Sequence, residues 1–497
     1  MGFGGNLSEA QSNVRTCFVQ GPVASVDWSD VARRRVTVDM LPDVALLRIY
    51  DFYVHETWEG AWYKLVHVCR KWRNLVFGSP THLGLRLLCT GGTPVRKTLD
   101  VWPQLPIVIR VETRLDASYD VDDIMEALRH NDRTCRLTLF YFSSLQMERV
   151  LAALQQPFPA LTFLKLVPSG ETAPVDADSF LGGSAPPHLQ TLELCRIPFP
   201  GLPKLLLSAT HLVHLTLYGI PDSGYFSPEA MVTGLSALIR LETLDIRFKS
   251  PRSRPDRRRP PPQTLTLLPV LTELCFKGVS EYLEDLVARI DAPLLEKLNI
   301  TFFHQLLFDT PQLALFINRI PKFQIRDKAR VVFSDWDVWF IFPKSIDGRL
   351  TLEISCTQLD WQLSSLVQVC KSSFPPALIS TVQHLYIEEH RGQYKSDDID
   401  NIESSQWLRL LRPFTGVKHL YIPPKLTPSI APVLQELVGE RVTEVLPALK
   451  TLFLENLPSE PVQEAIEKFV SARQVIGHTI AVSRWVMEVH WKNILNG

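Results

Sequence analysis

Leu189-Gln190-Thr191-Leu192-Glu193-Leu194 is the stretch on which the fold turns. In an extended chain alternate side chains face one way, so Leu192 and Leu194 point inward while Thr191, Glu193 and Cys195 point outward. The same spacing, apolar-x-x-Leu-x-apolar, stands before it at Leu161, Leu164, Leu166 and after it at Leu212, Leu215, Leu217. It returns at Leu241, Leu244, Ile246, at Leu271, Leu274, Phe276 and at Leu295, Leu298, Ile300. Val382, Leu385, Ile387, then Val417, Leu420, Ile422, then Leu449, Leu452, Leu454 complete nine copies.

Neighbouring copies follow at steps of about 23 to about 30 residues, later in the low thirties. The pattern resembles leucine-rich repeats, whose period is roughly 20 to 29 residues. Each copy then supplies one strand, and stacked strands bury a continuous apolar ridge while the outward positions form the concave face. On that geometry the target contacts are Lys165, Glu193, Thr216, Asp245, Lys277 and Asn299. Weaker units stand at Leu137-Thr138-Leu139, Val331-Val332-Phe333 and Leu350-Thr351-Leu352-Glu353-Ile354. Between Thr301 and Ser380 the step is lost, with Leu298 and Leu352 about two repeat lengths apart.

Segments with helical spacing lie between the strands: Asp122 to His130, Leu145 to Gln155, Tyr282 to Ile290, Leu313 to Arg319 and Leu363 to Cys370. They predict an outer helical layer and a parallel sheet with right-handed crossovers. Leu85 to Leu88 and Ile107 to Val111 read as buried strands ahead of the repeats. Past Ser459-Glu460-Pro461 a helix and then a strand at Thr479 to Val482 predict a terminal cap that shields the last repeat from edge pairing.

The amino-terminal part follows a different period. Pro42 suits a first helical turn, and Asp43 favours the positive helix end. Leu46, Leu47, Ile49, Tyr50, Tyr53 and Val54 then make one apolar face from about Pro42 to Val54. A second run puts Trp62, Leu65, Val66, Cys69, Trp72, Leu75 and Val76 on one face and ends at Gly78-Ser79-Pro80. So few helices bury little apolar surface alone and lean on a partner or neighbour.

In Leu41-Pro42, Leu46, Ile49 and Val68-Cys69-Arg70-Lys71-Trp72 this stretch resembles an F-box, over about a tenth of the chain. The wider run, Phe52-Tyr53-Val54, Trp62, Val66 to Cys69, Trp72 and Phe77 to Pro80, is similar to the F-box-like family abundant in mushroom-forming fungi. The resemblance implies docking to a Skp-type adaptor of a cullin-RING ubiquitin ligase through Leu41, Pro42, Leu46, Ile49, Val68, Cys69 and Trp72.

Bulk properties fit this division. A chain of 497 residues with 45% hydrophobic and 21% charged residues holds a large core. Lys plus Arg number 52 against 53 Asp plus Glu, so no overall field draws it to nucleic acid or an acidic membrane. Eight scattered cysteines, none in a C-x-x-C pair, argue for a reducing compartment, and the absence of an apolar run of membrane length predicts a cytoplasmic or nuclear protein. No motif for phosphate binding, a nucleophile elbow or a zinc site is present, and the acidic loop Arg391 to Ser405 lacks the calcium-loop order. No enzymatic activity, cofactor or metal is expected.

The expected organisation is α/β: a disordered leader at 1–35, an F-box-like helical module at 36–80, an irregular leucine-rich-repeat solenoid with a parallel sheet at 81–460, and a cap at 461–497. A basic, Pro-rich loop occupies 249–263. The function this predicts is a substrate-recognition subunit of an SCF-type ubiquitin ligase, binding a Skp-type adaptor and a protein target. The alternative is a repeat binding scaffold with no ligase link.

Overall fold

The chain divides into two units, Met1–Gly84 and Leu85–Gly497. The computed structural model describes residues 40–56, 63–79, 85–90, 99, 104–112, 121–251, 264–345, 348–390, 404–437, 441, 443–455 and 460–485. The expected leader, most of the basic loop and most of the acidic loop lie outside the described residues.

In the first unit the helix Asp43–Glu56 forms where the apolar spacing predicts it. Leu46 N–H donates to the Pro42 carbonyl at 3.1 Å, closing its first turn. The second run is not continuous: the chain makes Tyr63–Val66, breaks, and resumes as Arg70–Gly78. Cys69 is extended at the break, with φ −157° and ψ 173°. Arg73 Nε donates to the Val66 carbonyl at 3.0 Å and so satisfies an acceptor the break leaves open. Lys71 Nζ reaches the Leu41 carbonyl at 2.8 Å and ties the last helix to the start of the first. Leu46, Tyr50, Leu65, Val66 and Val76 are buried, and the Tyr50 and Trp72 rings meet at 4.7 Å.

The second unit is a stack of strands. These are β1 (Leu87–Cys89), β2 (Ile107–Glu112), β3 (Thr134–Phe142), β4 (Phe163–Pro168), β5 (Thr191–Cys195) and β6 (His214–Ile220). They continue with β7 (Thr243–Phe248), β8 (Thr266–Leu267), β9 (Glu273–Gly278), β10 (Ile290–Asp291), β11 (Lys297–Phe303) and β12 (Lys328–Phe333). Then come β13 (Asp337–Ser345), β14 (Gly348–Ser355), β15 (His384–Glu389), β16 (His419–Ile422), β17 (Thr451–Leu454) and β18 (Ala481–Arg484). Sixteen of them form one sheet in the order β1-β2-β3-β4-β5-β6-β7-β9-β11-β14-β13-β12-β15-β16-β17-β18, while β8 and β10 pair separately.

The leucines stand in register. Leu164, Leu192, Leu215, Leu244, Leu274, Leu298 and Leu350 are successive lateral partners, as are Leu385, Leu420 and Leu452. All are fully buried, so each contributes about 1.5–3 kcal/mol of transfer free energy. With this lateral registry the second unit has the architecture of a leucine-rich-repeat solenoid. The three weaker candidates fall on β3, β12 and β14.

Helices on the connections cover the leucine side, each resting on the next: Leu202–Leu206 on Pro228–Leu235, then Ser280–Val287, then Pro311–Arg319. Local chemistry starts several of them. Ser143 and Gln146 make a reciprocal capping box ahead of Ser144–Ala153. Pro311–Arg319 is capped from the preceding repeat: the buried Glu284 carboxylate accepts from Gln312 N–H at 2.9 Å and Leu313 N–H at 2.7 Å.

The sheet is not wholly parallel, which corrects the sequence reading. After β11 the chain runs out to β12, turns back along β13 antiparallel to it, and turns again so that β14 lies parallel beside β11. The next connection carries the helix Leu359–Ser372 and brings β15 alongside β12, parallel again. This meander fills the span where the step was lost. The two long connections lock together where Thr310 Oγ1 meets Ser373 Oγ at 2.5 Å and Gln368 Oε1 accepts from Phe308 N–H at 3.0 Å.

The last segment does not only shield the preceding rung. It adds one, the helix Glu460–Val475 followed by β18 paired parallel to β17. Arg473 of that helix is fully buried and donates to the carbonyls of Val445 at 2.7 Å and Leu446 at 3.0 Å.

Two substitutions test this packing by urea denaturation. Leu215→Ala is expected to cost about 2–5 kcal/mol because a fully buried side chain leaves a cavity between rungs. Glu284→Ala is expected to cost about 1–3 kcal/mol by orphaning two N–H groups, so an unchanged midpoint would refute the capping role.

Candidate functional site

Opposite the leucines, the sheet presents continuous rows of outward side chains. One row runs Lys165, Glu193, Thr216, Asp245, Cys275, Asn299, Thr351, Ile341, Arg330, Tyr386, Tyr421 and Phe453 across successive strands. The next runs Arg247, Lys277, Thr301, Glu353, Trp339, Val332 and Glu388. Reversing the direction of β13 leaves the rows unbroken, because side-chain alternation has the same period of two in either direction.

Five of the six expected target contacts, Lys165, Glu193, Thr216, Asp245 and Asn299, share the first row. Lys277 does not. Cys275 holds its place there, and Lys277 sits one row over with its Nζ above the Phe303 ring at 5.5 Å.

Much of the charge on this face is already paired. Lys165 meets Glu193 at 2.6 Å, Lys297 meets Glu273 at 2.8 Å, and Arg247 grips Asp245 with two bonds of 2.7 and 2.8 Å. Toward the carboxyl-terminal end the first row becomes aromatic, with Tyr386 stacked on Tyr421 at 4.1 Å and Tyr421 on Phe453 at 4.4 Å. Arg330 lies over Tyr386 at 5.4 Å.

Where the meander joins the solenoid the face sinks into a recess of about 320 Å³, lined by residues that include Cys275, Asn299, Thr301, Trp339, Thr351 and Glu353. That size is at the lower end for ligand pockets, about 300–1,000 Å³. Glu353 accepts from Thr301 Oγ1 at 3.1 Å and from Trp339, and it forms no ion pair among the described residues. Burial pushes its pKa up, the Asp337 charge adds to that, and the two hydrogen bonds and Lys277 oppose it. Asn299 donates to Cys275 Sγ at 3.5 Å, but its Oδ1 is shielded from solvent with no donor.

Burial also raises the Cys275 thiol to about 11, so it is a protonated packing group rather than a nucleophile at neutral pH. Asp245 is likewise raised by burial, against the pull of Arg247. Among the described residues no cluster of His, Cys, Asp and Glu is set to hold a metal ion, and no helix is long and apolar enough to cross a membrane. His214 meets Thr243 Oγ1 at 3.2 Å, and Glu389 pairs with Lys425 at 2.6 Å.

The expected adaptor contacts divide by burial. Pro42, Ile49 and Val68 are exposed, and Leu41, Cys69 and Trp72 are half-buried. Leu46 has no exposed surface, so it belongs to the interior of its unit.

No protein-family model matches the chain, and no curated protein matches it. Among solved structures it is similar to the leucine-rich repeat-containing protein LegL7 from Legionella pneumophila, at 12% identity and a TM-score of 0.26, over 72% of this chain and 96% of that one.

The state of Glu353 is open to measurement. With its folded pKa raised, ionisation works against folding, so its favourable contribution is complete below the unfolded value of about 4.3 and is lost as pH rises through the folded one. Glu353→Gln removes that loss. The variant is expected to melt at or above wild type at pH 7.5, with the difference shrinking near pH 4; a lower melting temperature at pH 7.5 would contradict a strained carboxylate.

Proposed function

We propose that the chain is the substrate-recognition subunit of an SCF-type ubiquitin ligase. The helical unit docks a Skp-type adaptor, and the open face of the sheet holds the protein to be modified. The chain itself makes and breaks no bonds; it supplies proximity and orientation, and partner enzymes transfer ubiquitin.

The observation that carries the reading is the apolar surface of the small unit. Val44 is 72% exposed, Phe52 67% and Val68 57%, with Met40 and Ile49 also open to solvent. Such a density of large exposed apolar side chains on so small a unit is the mark of an interaction surface. Its sequence is also the part that resembles an F-box. The paired charges, aromatic row and recess of the sheet supply the polar and aromatic contacts from which protein-binding surfaces are built.

Leu46 and the Tyr50–Trp72 pair are then the support on which the exposed groups are mounted. A scaffold without a ligase link would keep the sheet contacts and lack the adaptor.

Co-purification with a Skp-type adaptor tests the proposal. Wild type is expected to co-elute, and Ile49→Asp and Val68→Asp to weaken binding at least about tenfold while both variants stay folded. Failure of wild type to bind where an established F-box protein binds would leave the scaffold alone.

A further inference from the structure

Resting on the reading of the sheet face as the client-binding surface, we infer that the recess at the meander is a specificity pocket for one basic side chain, Lys or Arg, of an extended client segment. The argument is one of unspent hydrogen-bonding capacity. Arg247 and Lys297 at its edge are each held by a carboxylate within 2.8 Å, so they offer little to an incoming anion. Arg349 and His390 also line it, Arg349 Nε donating to Thr351 Oγ1 at 3.2 Å, and among the described residues the acceptors that stand without a cation there are Glu353 and the Asn299 amide oxygen.

Among the described residues Glu353 has no cation within ion-pair distance and receives hydrogen bonds from Thr301 and Trp339. A carboxylate has about four lone-pair sites, so two donors leave room for a bidentate partner. Among the described residues Asn299 Oδ1 has no donor. Asn299 pairs laterally with Thr351 and Thr301 with Glu353, which places the two acceptors on diagonal positions of adjacent strands. The terminal torsion of an Asn amide is soft, so a modest rotation brings its oxygen toward a donor in the recess. Trp339 at the wall offers a ring for the planar guanidinium or the alkyl stem of the incoming chain.

The size agrees with one side chain. At about 320 Å³ the recess lies at the lower end of the range of ligand pockets, a space for one long side chain rather than a folded element. Lys277 is the internal rival. It stands two strands from Glu353 in the same row, and its Nζ is drawn to the Phe303 ring instead. The cost of holding Glu353 without a counter-ion is then the stability given up for a recognition site.

The experiment uses the full chain against a library of short unstructured peptides, with free spermidine as a competitor. Wild type is expected to select Lys or Arg at one position. Glu353→Gln is expected to lose that selection by about tenfold or more without a fall in melting temperature, Asn299→Ala to weaken it, and Lys277→Ala to keep or strengthen it. Absence of basic selection, selection unchanged in Glu353→Gln, or spermidine binding as tightly as the best peptides would each overturn the inference. The ligase reading is judged separately, since adaptor co-purification depends on the helical unit and should be the same in all three variants.

Discussion

Lateral registry of leucines between neighbouring strands is the constraint on which the rest of the large unit depends. A single rung, such as Leu192 and Leu194 with its following helix, exposes its apolar side unless Leu164 and Leu215 close it from left and right. Stability therefore resides in pairs of adjacent rungs rather than in any repeat alone. The connections are free to vary because they need only cover that ridge. Some do so with a regular helix, and the one between β4 and β5 with a short kinked turn at Phe180–Gly183, left-handed at Leu181 and Gly182.

This freedom explains how the meander is tolerated. β12, β13 and β14 enter as a block whose inward side chains, among them Val331, Phe340 and Leu352, are as deeply buried as the leucines they stand beside. The block changes strand direction without disturbing the ridge on one side or the rows on the other. It does alter the texture of the open face, because Trp339 and Glu353 arrive there beside Thr301 and Asn299, and the recess forms at that boundary.

The repeating part of this architecture was legible because leucine spacing reports directly on which side of a strand is buried. Strand direction was not. Val338, Phe340 and Phe342 alternate as any repeat strand does, and nothing in alternation says which way the chain runs. The signal lay in the turn Ser334-Asp335-Trp336-Asp337, where Ser334 N–H closes on the Asp337 carbonyl at 2.9 Å. For the site, alternation located five residues of one row but displaced Lys277 by two positions. In the helical unit, spacing gave the apolar residues but not which of them turn inward. Leu46 and Tyr50, four apart, share the interior, whereas Val44, Ile49 and Phe52 stay outside.

The unbroken rows also fix a measure of length. Rungs follow one another at about 4.8 Å, whereas a polyproline II chain laid across them advances about 9.3 Å for each turn of three residues. Two rungs and one turn therefore nearly coincide. Along the row from Lys165 to Phe453 every second strand stands about one polyproline II turn from the last.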